Sequence, residues 1–191
     1  MEATERPRRA NLAENGVVGM ALFVFTEAML FAGFMSAFMI FRGAAPTELW
    51  PPADQPRLPV GATAVNTLML LVSGVLLFVA RRKFREHGAR EASRWMGASI
   101  LFGAAFVGLQ GVEWARLLAQ GFTLTSSELA SFFYVIVGAH AVHAMAALVA
   151  LVVYWRAMRA GRLTLSAFGA IQLYWYFVVL LWPILYWKIY L

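Results

Sequence analysis

The sequence contains no cysteine. That excludes disulfides, iron–sulfur clusters, thiolate metal sites and covalent haem attachment through C-x-x-C-H. Charge is also scarce: acidic and basic residues make up 14% of the 191 residues, against about 25% in a typical soluble domain. Histidine occurs only at His87, His140 and His143. There is no internal repeat and no low-complexity tract, so nothing points to an inverted-repeat transporter.

Apolar residues dominate instead, at 61% of the chain. Windows of about 20 such residues mark spanning helices. Five are found, at roughly Val17–Phe41, Gly61–Ala80, Trp95–Ala119, Ala130–Trp155 and Phe168–Tyr190. The expected fold is therefore all-α, an integral membrane bundle of five transmembrane helices spanning residues 16–191. Residues 1–15 read as a polar N-terminal tail, poorly ordered or lying along the surface, with no removable signal peptide. Turn formers, Gly43, Pro46, Pro51, Pro52, Pro56 and Pro59, break the chain between the first two spans.

The net charge of +6 could suggest nucleic acid, but the basic residues flank apolar spans and read as topology signals. One side carries Arg6, Arg8 and Arg9, the loop from Arg81 to Arg94 with Lys83 and Arg85, and Arg156, Arg159 and Arg162. The other has Arg42, Arg57, Arg116 and Lys188. The positive-inside rule then places the N-terminus inside and, with five spans, the C-terminus outside. Arg81, Arg82 and Lys83 are candidates for contact with anionic lipid head groups.

Two glutamates and two histidines lie inside the spans: Glu27, Glu113, His140 and His143. Such groups are costly in hydrocarbon and face protein or water. From the 1.5 Å rise per residue, Glu27 matches His143 in depth, and Glu113 matches His140. Two carboxylate–histidine pairs are the expectation. A protonated, packed Glu27 and a proton-handling Glu27 are both open readings. A haem held by two histidines would need them on opposing helices, and a di-metal bundle would need Glu-x-x-His on two helices; neither pattern is present.

Gln110 shares a face with Glu113, and Asn66 shares one with Ser73; both arrangements suit interhelical hydrogen bonds. Thr125 and Glu128 read as a capping box that starts the fourth span and makes it a close antiparallel neighbour of the third. Small residues, Gly138, Ala141 and Ala144 in the fourth span and Ala32, Gly33, Ser36 and Ala37 in the first, predict close helix contacts. Pro183 predicts a kink in the aromatic last span.

These residues also carry a resemblance. The first span, GMALFVFTEAMLFAGFMSAF, with its embedded Glu27, resembles a helix of subunit III of the haem–copper oxidases. So do Asn66, Thr67, Ser73 and Gly74 in the second span. The stretch from Leu109 to Ala144 carries the family's Q-x-x-E (Gln110, Glu113), its G-F-T-L-T-S turn (Gly121 to Ser126) and its G-x-H-x-x-H (Gly138, His140, His143). The likeness runs from about Gly16 to Leu191 and is to the short five-helix form. A departure is Tyr176, where the family's last helix usually has a histidine.

The resemblance implies a non-catalytic accessory subunit of a bacterial plasma-membrane oxidase. It would bind no haem or metal itself. Haem and copper would sit in partner subunits, with catalytic subunit I as the main contact, and phospholipid would bind. Support of proton uptake, oxygen reduction by the complex and cytochrome c as electron donor are implied likewise. Open alternatives are a subunit of a quinol oxidase or nitric oxide reductase, an independent transporter or proton channel, and a small membrane cytochrome.

Overall fold

The computed structural model describes residues 6–44 and 59–191. Among them the chain forms five helices: α1 (Arg6–Ala44), α2 (Val60–His87), α3 (Ala89–Ala119), α4 (Glu128–Arg159) and α5 (Leu165–Leu185). A π-helical turn, Tyr186–Tyr190, continues α5. All five are long and apolar enough to cross a membrane. The chain is a multi-pass membrane protein. In hydrocarbon the backbone must satisfy its own polar groups, and the helix is how a single segment does so.

Several boundaries differ from the sequence reading. α1 begins at Arg6, so the polar segment from Arg6 to Asn15 is continuous with the first helix. The arginine-rich segment from Arg81 to Arg94 is not a loop. α2 and α3 run through it and meet at Gly88 alone, whose φ of 82° suits a residue without Cβ. Most of the proline-rich connection lies outside the described residues. The cap of α4 is Ser127, which accepts from the Ala130 amide at 3.0 Å, and not Thr125. Thr125 sits too early because the chain first closes a turn, Ser126 Oγ donating to Thr123 O at 2.8 Å. α3 ends in a Schellman motif: Gly121 at φ 82° lets Phe122 N donate to Leu117 O and Gly121 N to Leu118 O. α5 runs through Pro183 and passes directly into the π turn.

α5 is the central column. In its most apolar stretch 61% of residues are buried, against 6% in that of α1, and it packs extensively against α1, α2 and α4. The largest helix contact is the α2–α3 hairpin; α4 packs on α3 and α5, while α1 leans mainly on α5. Two fully buried indoles tie α5 to α2. Trp175 Nε1 donates to Ser73 Oγ at 3.1 Å and Trp182 Nε1 to Thr67 Oγ1 at 2.9 Å. Ser73 and Ser99 bond reciprocally, each hydroxyl donating to the other's carbonyl at 2.8 Å. A buried indole N–H needs an acceptor, and these hydroxyls supply it.

α1 corrects one packing expectation. It meets the bundle through Phe31 and Phe38, seven residues apart and both buried. Ala32, Gly33, Ser36 and Ala37 turn outward, and nothing lies within 4 Å of where a Cβ on Gly33 would be. Among the described residues this face is largely uncovered, with Ala37 alone lining a cavity beside Ser131 and Val135 of α4.

The Trp175 indole sits where Gly103 leaves room. A Cβ at 103 would meet its Cζ2 at 2.7 Å and Leu148 Cδ1 at 3.4 Å. The indole is pinned by Ser73 and cannot retreat. Gly103→Ala is therefore expected to destabilise the protein by about 1–3 kcal/mol, as overpacking does. Gly108→Ala, at an exposed position with open space around it, is expected to be neutral or slightly stabilising. Thermal unfolding in detergent checks both; equal effects would show that the Gly103 contact is not limiting.

Candidate functional site

α1, α4 and α5 bring together the first ionisable group. Glu27 Oε2 lies 2.9 Å from His143 Nε2, and both side chains are nearly buried, at 18% and 16% exposure. His143 Nδ1 lies 2.7 Å from the Ala139 carbonyl, four residues back on its own helix. A carbonyl can only accept, so Nδ1 carries a proton. Nε2 then either accepts from a protonated Glu27 or, as part of an imidazolium, donates to the carboxylate. In both states one proton lies between the two residues and the pair has no net charge. Around it stand Phe31, whose ring centroid is 5.5 Å from that of His143, and Phe177 at 6.1 Å. Tyr174 Oη donates to His143 O at 3.4 Å.

The second expected pair does not form. Glu113 is bonded to Arg116 at 3.1 Å, three residues along the same helix. The i,i+3 spacing lets the exposed guanidinium of Arg116 reach the carboxylate, which is 14% exposed. His140 is buried at 1% exposure, stacked at 5.1 Å on Trp182. Neither of its ring nitrogens has a hydrogen-bond partner among the described residues. It lines a cavity of about 170 Å³ with Phe106, Gln110, Trp114 and Met145. Depth alone matched Glu113 to His140; the rotation of α3 sends the carboxylate elsewhere.

The remaining polar residues form interhelical bonds. Asn66 Nδ2 donates to Phe106 O at 3.2 Å and Gln110 Oε1 at 3.1 Å, and Gln110 Nε2 reaches Tyr190 Oη at 3.2 Å. Ser73 meets Ser99 and Trp175, as described. Ser99, Trp175 and the role of Thr67 were not found from sequence, although aromatic N–H donors on one span and hydroxyls on another are the signal. At the arginine-rich end of α2 the three basic residues separate. Arg82 bonds the exposed Glu86 at 2.9 Å. Lys83 is half-buried. Arg81 turns toward α5, where Nη1 donates to Gln172 Oε1 at 2.9 Å.

Among the described residues there is no group of three or more side chains that could hold a metal ion. His143 has both ring nitrogens engaged, so His140 and His143 do not form a ligand pair. Fold and site together describe a polytopic helical subunit whose polar groups bond mainly to one another. The comparisons with known proteins name its family. The cytochrome c oxidase subunit III family matches the chain over residues 1–191. Cytochrome c oxidase subunit 3 of Synechocystis sp. is 32% identical over 177 residues, covering 91% of this chain and 74% of that one. The Bacillus subtilis protein of the same name is 30% identical over 190 residues, covering 97% and 90%. Cytochrome bo(3) ubiquinol oxidase subunit 3 of Pseudomonas putida is 26% identical over 178 residues, covering 92% and 84%. This chain belongs to the cytochrome c oxidase subunit III family.

A pair that shares one proton fails when one partner is removed. Glu27→Leu and His143→Leu are each expected to cost about 1–3 kcal/mol, the penalty of an orphaned buried polar group. The double variant is expected to recover most of that, with a coupling of about 1–3 kcal/mol. Thermal unfolding of the four proteins measures it, and additive losses would rule the pair out as an energetic unit.

Proposed function

We propose that this chain is the non-catalytic third subunit of a haem–copper terminal oxidase in a bacterial plasma membrane, with its N-terminus on the cytoplasmic side. The family membership carries the reading. Haem and copper belong to partner subunits, above all the catalytic one. In this reading the chain's histidines are not their ligands: His143 bonds Glu27 and Ala139, and His140 packs against Trp182 and Phe31.

The outward face of α1 supports a partner helix. Its small residues permit close approach, and Leu22, Phe25, Met29 and Ile40 beside them are 60% exposed or more. Glu27 lies on this same peripheral helix. Its role in the reading is to keep a protonated, net-neutral pair at the edge of the bundle, stabilising the complex and supporting proton uptake by it. Cytochrome c is the proposed electron donor. The Pseudomonas putida relative, a ubiquinol oxidase subunit by name, keeps quinol as a second reading.

A mild-detergent pull-down on this chain, with an optical spectrum and subunit identification, tests the proposal. A haem-bearing, oxygen-reducing complex is expected, and its donor preference separates cytochrome c from quinol. A colourless chain without partners would overturn it. In the complex, Glu27→Ala is expected to lower stability or proton uptake with haem content unchanged; loss of haem would contradict an accessory role.

A further inference from the structure

Trp114 on α3 and His140 on α4 line the same cavity, of about 170 Å³. Among the described residues, no hydrogen-bond partner meets Nδ1 or Nε2 of His140 or Nε1 of Trp114, and all three atoms are buried. Aromatic neighbours flank both rings. His140 lies against Trp182 at 5.1 Å and Phe31 at 6.5 Å between ring centroids. Trp114 lies against Tyr134 at 5.7 Å and Phe133 at 6.4 Å. The polar groups close by are already engaged. Trp182 Nε1 donates to Thr67, the Tyr134 hydroxyl donates to Phe122 O at 2.6 Å, and Gln110, also in the cavity wall, bonds Asn66 and Tyr190. A buried donor or acceptor left unmet forfeits its solvation outright. Three such atoms on two side chains of one cavity call for a ligand that can meet them.

The mix of groups selects the chemistry of that ligand. The indole N–H donates, and a neutral imidazole has one donor and one acceptor in either tautomer. The ligand must therefore accept from two N–H groups and donate to one ring nitrogen. A carboxylate cannot donate, an ammonium cannot accept, and a hydrocarbon chain does neither. Water does both. The two nitrogens of an imidazole point to different sides of the ring, so one water cannot bond both, and at least two are needed. The cavity has room, since a water occupies about 30 Å³. Its apolar walls, Phe106, Val107, Ala141 and Ala144 among them, confine water to the nitrogens. Entry is short. Trp114 stands five residues before the end of α3 at Ala119, about 8 Å of helix. Gly111 and Met145, both exposed, line the mouth.

We infer that the α3–α4 cavity is a binding site for ordered water, a cluster of at least two molecules anchored on Trp114 Nε1 and the ring nitrogens of His140. The cluster is a joint between the two helices. Elsewhere on the same pair the joint is direct, Trp155 Nε1 of α4 donating to Ser93 O of α3 at 2.9 Å. At the cavity the two helices also approach closely, since a Cβ on Gly138 of α4 would lie 3.7 Å from Trp114 Cη2. Here both helices offer polar side chains that do not meet, and water supplies the link. A bridging water is nearly as good a bond as a direct one. The inference uses the helical bundle alone and does not depend on the oxidase reading.

The test is a structure of the intact purified complex at a resolution that shows ordered water elsewhere in its interior. Density is expected within about 3.2 Å of Trp114 Nε1 and of the His140 ring nitrogens. Trp114→Phe and His140→Phe are each expected to lose the water at the substituted side chain and to lower the unfolding temperature. Xenon under pressure gives a second readout, because it enters dry apolar cavities. It is expected to stay out of the wild-type cavity and to enter that of a Trp114→Phe, His140→Leu double variant. No density on any of the three nitrogens would overturn the site. So would xenon in the wild-type cavity, or a lipid chain or a partner's side chain filling it. Should the double variant not assemble, the wild-type density and wild-type xenon still decide. Haem in the same samples reports the oxidase reading separately.

Discussion

The structure depends on the two indoles of α5. In a bilayer there is no water to take up a stray N–H, and apolar side chains gain nothing by leaving lipid for protein. Helices therefore hold together through shape and through polar groups that find each other. Trp175 and Trp182 supply both at once. Their rings fill the centre of the bundle, and their N–H groups reach Ser73 and Thr67 on α2. Ser73 passes the contact on to Ser99 in α3. Gly103 in α3 and Leu148 in α4 then shape the pocket around the Trp175 ring. Remove that ring and four helices lose their common reference point.

The same constraint explains the buried ionisable groups. Hydrocarbon penalises net charge far more than dipoles, so a carboxylic acid and an imidazole persist there when they share one proton. The Ala139 carbonyl enforces this by fixing the proton on Nδ1, which leaves Nε2 one way to meet Glu27 in each protonation state. Glu113, whose side chain is 14% exposed, is met instead by Arg116, an exposed guanidinium three residues along its own helix.

Much of this was legible in the sequence, for identifiable reasons. Span number and order follow from apolar length, which the bilayer makes nearly diagnostic. The Glu27–His143 approach followed from depth, because both residues point inward. Depth failed for Glu113 because rise along the axis says nothing of rotation about it, and two residues at one level can face opposite ways. Gln110, three residues earlier on α3, does turn inward and meets Asn66. Helix ends were harder. Charge was read as loop between α2 and α3, yet arginine is a good helix former, and a single glycine suffices to reverse the chain. The small face of α1 points outward, where the sequence reading expected a close contact: small residues signal close packing but not with which partner.

The outward small face of α1 bears on function. A chain that met all its packing needs internally would bury the small face of α1 and the span around it, and α1 is the least buried span. An independent transporter would instead enclose its ionisable residues around a path. Here Glu27 and His143 stand at the rim, with Phe31 and Phe177 on the bundle side and the exposed helix beyond. A subunit docking on α1 would exclude lipid from the pair's open side and change its surroundings more than those of any group in the interior. The pair is therefore placed where assembly of a larger complex can act on it, which is what an accessory subunit requires and a self-contained conductor does not.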